Sequence, residues 1–412
     1  MIIGIVGAGA AGLMAAATIQ EFHPEAAVLL FEKNKVLGRK VSISGGERCN
    51  VTTGIRDVKE LLTKYPRGHK FLTSAMYHFG PDKVYQWFED HGVPLYTQDD
   101  RRVFPQSDVG TDIVAVFEKL FNNSTVKVVS EVSIDQISQL PSQQFKLQTK
   151  AGTSYTVDKL ILTTGGQARR YTGSTGDGYI FAETLGHHIT PLAASLNSFI
   201  VKDDWMKSLA GVSFTAVGLS VAGQRQYQFT GPIVFTHQGL SGPAVFALSS
   251  QVAFEHYTQE QPLALLVDFL PTLSMEQLRH ELNQLITHYP KQQLSTTLHA
   301  WLPKSVVASL LHELHLPADK TNAEVSNVMR QRILDHLKKC PVTVIGRGSG
   351  DEFVTAGGVE LSEVDPRTMQ SKLCPGLAFA GEILNMDGYT GGFNLQAAWA
   401  TGRLAGEYII SN

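Results

Sequence analysis

Cysteine is scarce in this chain. Its three cysteines among 412 residues, Cys49, Cys340 and Cys374, are odd in number and far apart, which argues against a disulfide framework and fits a reducing compartment. CxxC and HExxH are both missing, and the pairs His187–His188 and His312–His315 have no Cys/His cluster around them, so neither dithiol nor zinc chemistry is expected and no metal ligand is assigned. No apolar stretch reaches the roughly 18 to 20 residues of a membrane span. The N-terminus has no basic n-region and runs straight into an apolar segment, so neither membrane nor secretory signal is expected, and the cytoplasm is the expected location. Long Lys/Arg blocks are absent too. A balance of 35 basic against 38 acidic residues, formal charge −3, draws the chain to neither nucleic acid nor anionic lipid and leaves a small molecule as the expected partner.

What is present begins at the first residue. MIIGIVGAGAAGLMAAATIQ is an apolar run broken by Gly7, Gly9 and Gly12, and a second apolar run, AVLLFE, ends in Glu32. Strand, glycine turn, helix, strand and terminal acid at this spacing form a dinucleotide-binding fingerprint in its proper context. Gly7 permits the tight turn, Gly9 lets a pyrophosphate approach the backbone, and Gly12 lets helix and strand pack closely. The phosphates then sit on the positive end of the helix. Glu32 is placed to accept from both hydroxyls of an adenosine ribose, which favours FAD or NAD over a 2′-phosphorylated dinucleotide.

The chain exceeds what one core usually supports, so two or three domains are expected. Strand and helix alternate over 1–190, with strands at 2–6, 27–31, 126–132 and 158–163, as in a parallel sheet covered by helices. After Pro191, VGLSVAG and QRQYQFTG alternate with period two around a turn at 222–224 and predict antiparallel strands. From Pro271 the spacing of Met275, Leu278, Leu282, Leu285, Ile286 and Tyr289 predicts a helix, with Ser274 and Gln277 set to form a capping box. Two further amphipathic stretches, 306–314 and 325–337, complete a helical bundle. From about 351 the strand, glycine and helix grammar returns. The division expected is therefore 1–190 with 351–412, an inserted β domain over 191–270 and 341–350, and a helical domain over 271–340.

Four more glycine-rich segments stand out. In GRKVSISGGERCNVTT, Arg39 and Lys40 can balance phosphate charge while Ser44, Gly45 and Gly46 offer backbone amides. LILTTGGQARRYTGSTGDGY carries Thr164, Gly165 and Gly166 at a strand end. GPIVFTHQGLSGPAVFAL sets Pro243 at the first position of a helix. In AGEILNMDGYTGGFNLQAAWATG, Gly391 and Gly392 precede a helix whose first amides, at Gly392, Phe393 and Asn394, would face an electron-rich acceptor such as a reduced flavin. GRGSG at 346–350 does not open a helix and fails as a second nucleotide motif. Arg48 and His237 are further substrate-contact candidates on residue type alone.

On these segments, and on VTAGGVELSEVDPRTMQSKLCPGLAFAGEILNMDGYTGGFNLQAAWATG, the chain resembles the bacterial aminoacetone-oxidase-like flavoproteins, also labelled NAD(P)/FAD-dependent oxidoreductases and including bile-acid reductase-like members. The resemblance implies an α/β fold: a Rossmann-like FAD-binding domain of three-layer ββα type, an inserted β-barrel-like domain and a nested helical domain. By position it implies FAD contacts from Gly7, Gly9, Ala11 and Gly12 at the pyrophosphate, and from Glu32 and Lys33 around the ribose. Arg39, Lys40, Ser44, Gly45, Gly46, Cys49 and Asn50 would line the phosphates and ribityl chain. Val132 would meet the adenine through its backbone, with Thr164, Gly165 and Gly166 nearby, and Gly381, Glu382, Gly391, Gly392, Phe393 and Asn394 would hold the ribityl and ring. This sequence departs from the family at Glu47, where a third glycine is usual, and at Asn385, where aspartate is usual.

The expected activity is that of an FAD-dependent oxidoreductase transferring hydride between flavin and a small organic substrate. Two forms stay open: oxidation of an amine with oxygen as acceptor, or reduction of an unsaturated ketone with NAD(P)H as co-substrate. The alternative is a non-catalytic or redox-sensing flavoprotein that docks a protein partner. No catalytic acid or base is identified, and flavin hydride chemistry can proceed without one.

Overall fold

The computed structural model describes residues 1–348, 350 and 352–411, with Arg225 described by its backbone alone. Ser349 of the GRGSG segment and Asp351, at the expected domain boundary, lie outside the described residues. The chain forms two compact units, residues 1–195 with 353–412, and residues 196–352.

The first unit is built on β1 (Ile2–Val6), α1 (Ala10–Phe22) and β2 (Ala27–Phe31). A five-stranded parallel sheet runs in the order Leu377–Phe379, Lys159–Leu162, β1, β2, Val126–Val129. Its strands are short apolar runs, as expected where both faces of a parallel sheet are covered. The strand expected over 126–132 stops at Val129, because Glu131 takes a left-handed conformation (φ 60°) that turns the chain off the sheet edge. The strand expected at 158–163 spans Lys159–Leu162.

A three-stranded antiparallel sheet, Ile134–Gln139, Phe145–Thr149 and Ser154–Val157, closes one face: Val157 packs so tightly on Gly4 that a Cβ at Gly4 would lie 3.0 Å from its Cγ2. α1 packs against the helix Phe393–Tyr408, where Gly402 and Gly406 let the two backbones meet. A Cβ at these glycines would lie 2.4 Å from Ala11 O and 2.6 Å from Ala15 O. The α/β fold with its parallel sheet, antiparallel sheet and helix layer is therefore the one expected. Trp399 anchors its core, fully buried, with its indole N–H donating to Val51 O at 3.0 Å and its ring stacked on Phe117.

In the second unit six strands close a barrel in the order Phe199–Val201, Gly239–Ser241, Gln224–Phe235, Ser213–Val221, Leu263–Asp268, Cys340–Arg347. The hairpin expected around 222–224 pairs Val221 with Gln224. The helix expected from Met275 runs to His288 and starts with the full Ser274–Gln277 capping box, and Pro243 opens the helix Pro243–Gln251. The helices of 271–340 share one buried core with the barrel, in which Leu278, Leu282 and Ile333 are enclosed with Leu265 and Val344.

Candidate cofactor site

Four strands of the parallel sheet end together, since Val6 pairs with both Phe31 and Leu162, and Leu162 with Phe379. The segments leaving this carboxyl edge carry the glycine-rich motifs, the usual place for a ligand in open α/β sheets. Gly7 N donates to Phe31 O at 2.9 Å and Thr163 Oγ1 to Gly7 O at 2.7 Å, so the turn out of β1 is held from both neighbouring strands. Gly12 is pressed onto that turn, where a Cβ would lie 1.9 Å from Gly7 O. Gly9 is different: a Cβ there would meet nothing within 4 Å, and no side chain caps α1. α1 thus presents first-turn amides, at the positive end of its dipole, to an approachable space suited to an anion.

Glu32 follows β2 directly and is buried. Its Oε2 accepts from Ala8 N at 3.0 Å, and its Oε1 from Asn34 N at 2.9 Å and Asn34 Nδ2 at 2.7 Å. A carboxylate oxygen accepts about two hydrogen bonds, so Oε2 keeps a position for a hydroxyl. Val132 N donates to Glu32 O at 3.0 Å, which brings its backbone to this point. Lys33 is turned aside. Its ammonium donates to Thr175 Oγ1 and Asp177 Oδ2, both at 2.6 Å. Burial opposes ionisation of Asp177, but hydrogen bonds from Lys33 and Thr175 hold its carboxyl below the usual range.

Gly38 N donates to Ala8 O at 2.9 Å and so seats α2 (Arg39–Ile43) beside the fingerprint. Beyond α2 the backbone is left-handed at Gly45, Gly46, Glu47 and Cys49 (φ 58°, 72°, 66° and 58°). A left-handed backbone at position 47 favours glycine, and Glu47 holds that conformation with its side chain exposed. Ser44 Oγ donates to Val41 O at 2.7 Å, and Asn50 Oδ1 accepts from Val103 N at 3.3 Å. Cys49 offers backbone only, because its side chain is fully enclosed and burial pushes its thiol up to about 12. Lys40 Nζ reaches Glu382 Oε2 at 2.7 Å and ties this segment to Gly381–Glu382. Arg39 stays exposed, its guanidinium carbon 5.9 Å from the centre of the Tyr171 ring. Arg48 lies over Phe104 at 4.1 Å and pairs with Asp108, and His237 is exposed in a turn of the second unit.

Gly166 abuts Glu382: a Cβ at Gly166 would lie 3.1 Å from Oε1, which accepts from Thr355 N at 2.9 Å. Among the described residues, Thr164 Oγ1 and Asn385 Oδ1 are buried polar atoms without a hydrogen-bond partner, a condition that native proteins rarely tolerate without a ligand or water. Gly392, left-handed at φ 86°, leads into Phe393–Tyr408, whose N-terminus no side chain caps. Tyr65 Oη donates to Phe393 O at 2.8 Å, while the Asn394 amide exchanges two 2.8 Å hydrogen bonds with Gly388.

One cluster here carried no sequence signal beyond a lone acid in an apolar, glycine-rich run. Asp387, fully buried, is gripped by the Arg67 guanidinium through Nε and Nη2 and accepts from Ser195 Oγ at 2.6 Å. These partners fasten the loop before Gly391–Gly392 to the segment Lys64–Gly68, where Tyr389 N donates to Lys64 O at 2.9 Å.

The donor set fits FAD: two uncapped helix N-termini, an acid with a spare acceptor position, and unpartnered polar atoms at Thr164 and Asn385. Known proteins resemble the chain as follows. It is 30% identical over 411 residues, 98% of each chain, to the 3-dehydro-bile acid delta(4,6)-reductase of Clostridium scindens. It is also 30% identical over 404 residues, 96% of this chain and 95% of the other, to the ribosomal RNA dihydrouridine synthase of Haemophilus influenzae. Among solved structures, quinol fumarate reductase of E. coli superposes with a TM-score of 0.52 at 17% identity, covering 99% of this chain and 70% of its own. The 3-ketosteroid delta1-dehydrogenase of Sterolibacterium denitrificans does so with a TM-score of 0.50 at 12% identity, covering 99% and 98%. Both are likenesses of fold. The model of the HI0933-like protein Rossmann domain matches residues 1–408, and the chain belongs to that family.

Proposed function

We propose that this chain is a flavoenzyme that holds FAD at the carboxyl edge of the first unit's sheet and reduces a carbon–carbon double bond conjugated to a carbonyl. The observation that carries the reading is the fingerprint geometry: an uncapped α1 open at Gly9, with the Glu32 carboxylate one hydrogen bond from Ala8 and still able to accept. Gly7, Gly9, Ala11 and Gly12 would hold the pyrophosphate with Lys40 nearby, and Glu32 the adenosine ribose. Val132 would meet the adenine. Gly45, Gly46, Asn50, Thr164, Gly165, Gly166, Gly381 and Glu382 would line the middle of the cofactor. The first amides of Phe393–Tyr408 would stabilise negative charge on the ring, held in aim by the Tyr65 and Asn394 hydrogen bonds. Lys33 acts at one remove, steadying the 175–177 turn through Asp177.

When bound, the flavin would accept hydride from a reduced nicotinamide and pass it to the electron-poor carbon of the double bond, a proton completing the addition. The relatives' names support this class, since a delta(4,6)-reductase and a dihydrouridine synthase both saturate such a bond. The test is an anaerobic visible spectrum of the purified protein. A yellow protein bleached by NAD(P)H and recoloured faster by an α,β-unsaturated ketone than by air is expected. A protein that takes up no FAD, or one bleached by amines and indifferent to nicotinamide, would overturn the reading.

A further inference from the structure

Two segments at the edge of the first unit concentrate positive charge. Lys33–Arg39 and Gln167–Gly173 hold five cations, Lys33, Lys35, Arg39, Arg169 and Arg170, and no acid, in a chain whose formal charge is −3. They touch: Asn34 Nδ2 donates to Thr172 O at 3.0 Å, and a Cβ at Gly173 would lie 2.5 Å from that nitrogen. Among the described residues, Lys33 and its neighbour Lys40 are ion-paired, whereas Lys35, Arg39, Arg169 and Arg170 form no ion pair.

Aromatic faces are interleaved with these cations. The Arg39 guanidinium lies 5.9 Å from the ring centre of Tyr171, and that of Arg169 lies 4.6 Å from the ring centre of Phe353. Both rings are open to solvent, Tyr171 by 58% and Phe353 by 41%. Arg170 is exposed and donates to Gln167 Oε1 at 2.9 Å. Arg169 holds a left-handed backbone (φ 57°), a conformation that a bulky residue seldom takes without a reason.

Guanidinium groups with no ion pair among the described residues, set beside exposed rings, suit a phosphorylated purine nucleotide, with phosphate on the fork and base on the ring. Arg169 and Arg170 stand outside the residues assigned to FAD, whose phosphates face the α1 amides, and Glu32 repels a 2′-phosphate at the fingerprint. We propose that this surface docks the 2′-phosphorylated adenosine of NADPH, making NADPH rather than NADH the reductant. The inference rests on the flavoenzyme reading above for its purpose, though not for its measurement.

The probe is adenosine 2′,5′-bisphosphate against 5′-AMP, titrated by calorimetry into the full-length protein with and without FAD. Tenfold or tighter binding of the bisphosphate is expected, and Arg169→Gln with Arg170→Gln should erase that preference while melting temperature and FAD content are kept. The same pair of substitutions should raise KM for NADPH about tenfold or more and leave KM for NADH unchanged. Equal binding of the two probes by the native protein, or a preference that survives in the variant, would overturn the inference. So would displacement of the bisphosphate by a single-stranded RNA that binds more tightly than NADP+. If the protein takes up no FAD but still prefers the bisphosphate, the flavoenzyme reading fails and the surface assignment stands.

Discussion

Asp387→Asn is the most informative single change in the first unit. The native carboxylate is fully buried and its partner's side chain is only 16% exposed, so solvent screens the pair little. Asparagine keeps one acceptor oxygen for Nε or for Ser195 Oγ, but its amide nitrogen then faces a guanidinium N–H, donor against donor, and the Arg67 charge loses its countercharge. Breaking a buried pair on one side costs about 3–5 kcal/mol. The retained oxygen places this case near the lower end. At roughly 2–4 °C per kcal/mol for a unit of this size, the melting transition followed by calorimetry should fall by about 6–12 °C. The double variant Arg67→Met/Asp387→Leu should recover most of that loss, since apolar replacement of a buried pair is often near neutral. A fall below about 2 °C, or a double variant as unstable as the two single losses summed, would refute the assignment of Asp387 as the buried anchor of this loop.

Gly9→Ala and Gly12→Ala should separate binding from folding. At Gly9 the new methyl meets nothing, so stability should change by less than about 0.5 kcal/mol while FAD affinity, read by flavin fluorescence, falls more than tenfold. At Gly12 it would sit 1.9 Å from Gly7 O, so the protein itself should be destabilised. His187 sets an acid limit. Burial holds its pKa below the ordinary 6.5 against the pull of Glu363, so the unfolded chain takes up the proton first, and its contribution to stability should be lost as pH falls below 6.5. Exposed His188 is shifted upward by Glu363 and works in the opposite direction. Urea midpoints of His187→Gln between pH 7.5 and 5.5 should therefore decline less steeply than those of the native protein. Glu47→Gly should raise stability by up to about 1 kcal/mol, the left-handed strain relieved less the greater entropy of glycine in the unfolded chain, as thermal unfolding would measure.

Local grammar made much of the first unit legible. The Gly7–Gly12 turn, the acid at the end of β2 and the Ser274–Gln277 capping box each arise within a few residues, so their meaning survives without tertiary context. The barrel hairpin at Val221 and Gln224 was legible for the same reason. What escaped depends on distance along the chain. Nothing near Lys33 announces Asp177, 144 positions away, and nothing near Arg67 announces Asp387, 320 positions away. The stop at Val129 is not legible in the sequence, because a single left-handed residue, Glu131, outweighs an apolar run. The core that the helices of 271–340 share with the barrel is not announced either, because periodicity reports that an apolar face exists, not which core receives it.

The glycine contact between α1 and Phe393–Tyr408 has a consequence for biosynthesis. The ribosome delivers α1 before 196–352 and its packing partner only after the whole of that segment has been made. The barrel unit, contiguous in the chain, has all its strands in hand earlier. Ala11 and Ala15 must meanwhile stay uncovered or be held by another surface. The nascent chain therefore carries an open nucleotide fingerprint until Phe393–Tyr408, made after both α1 and the whole barrel unit, closes it.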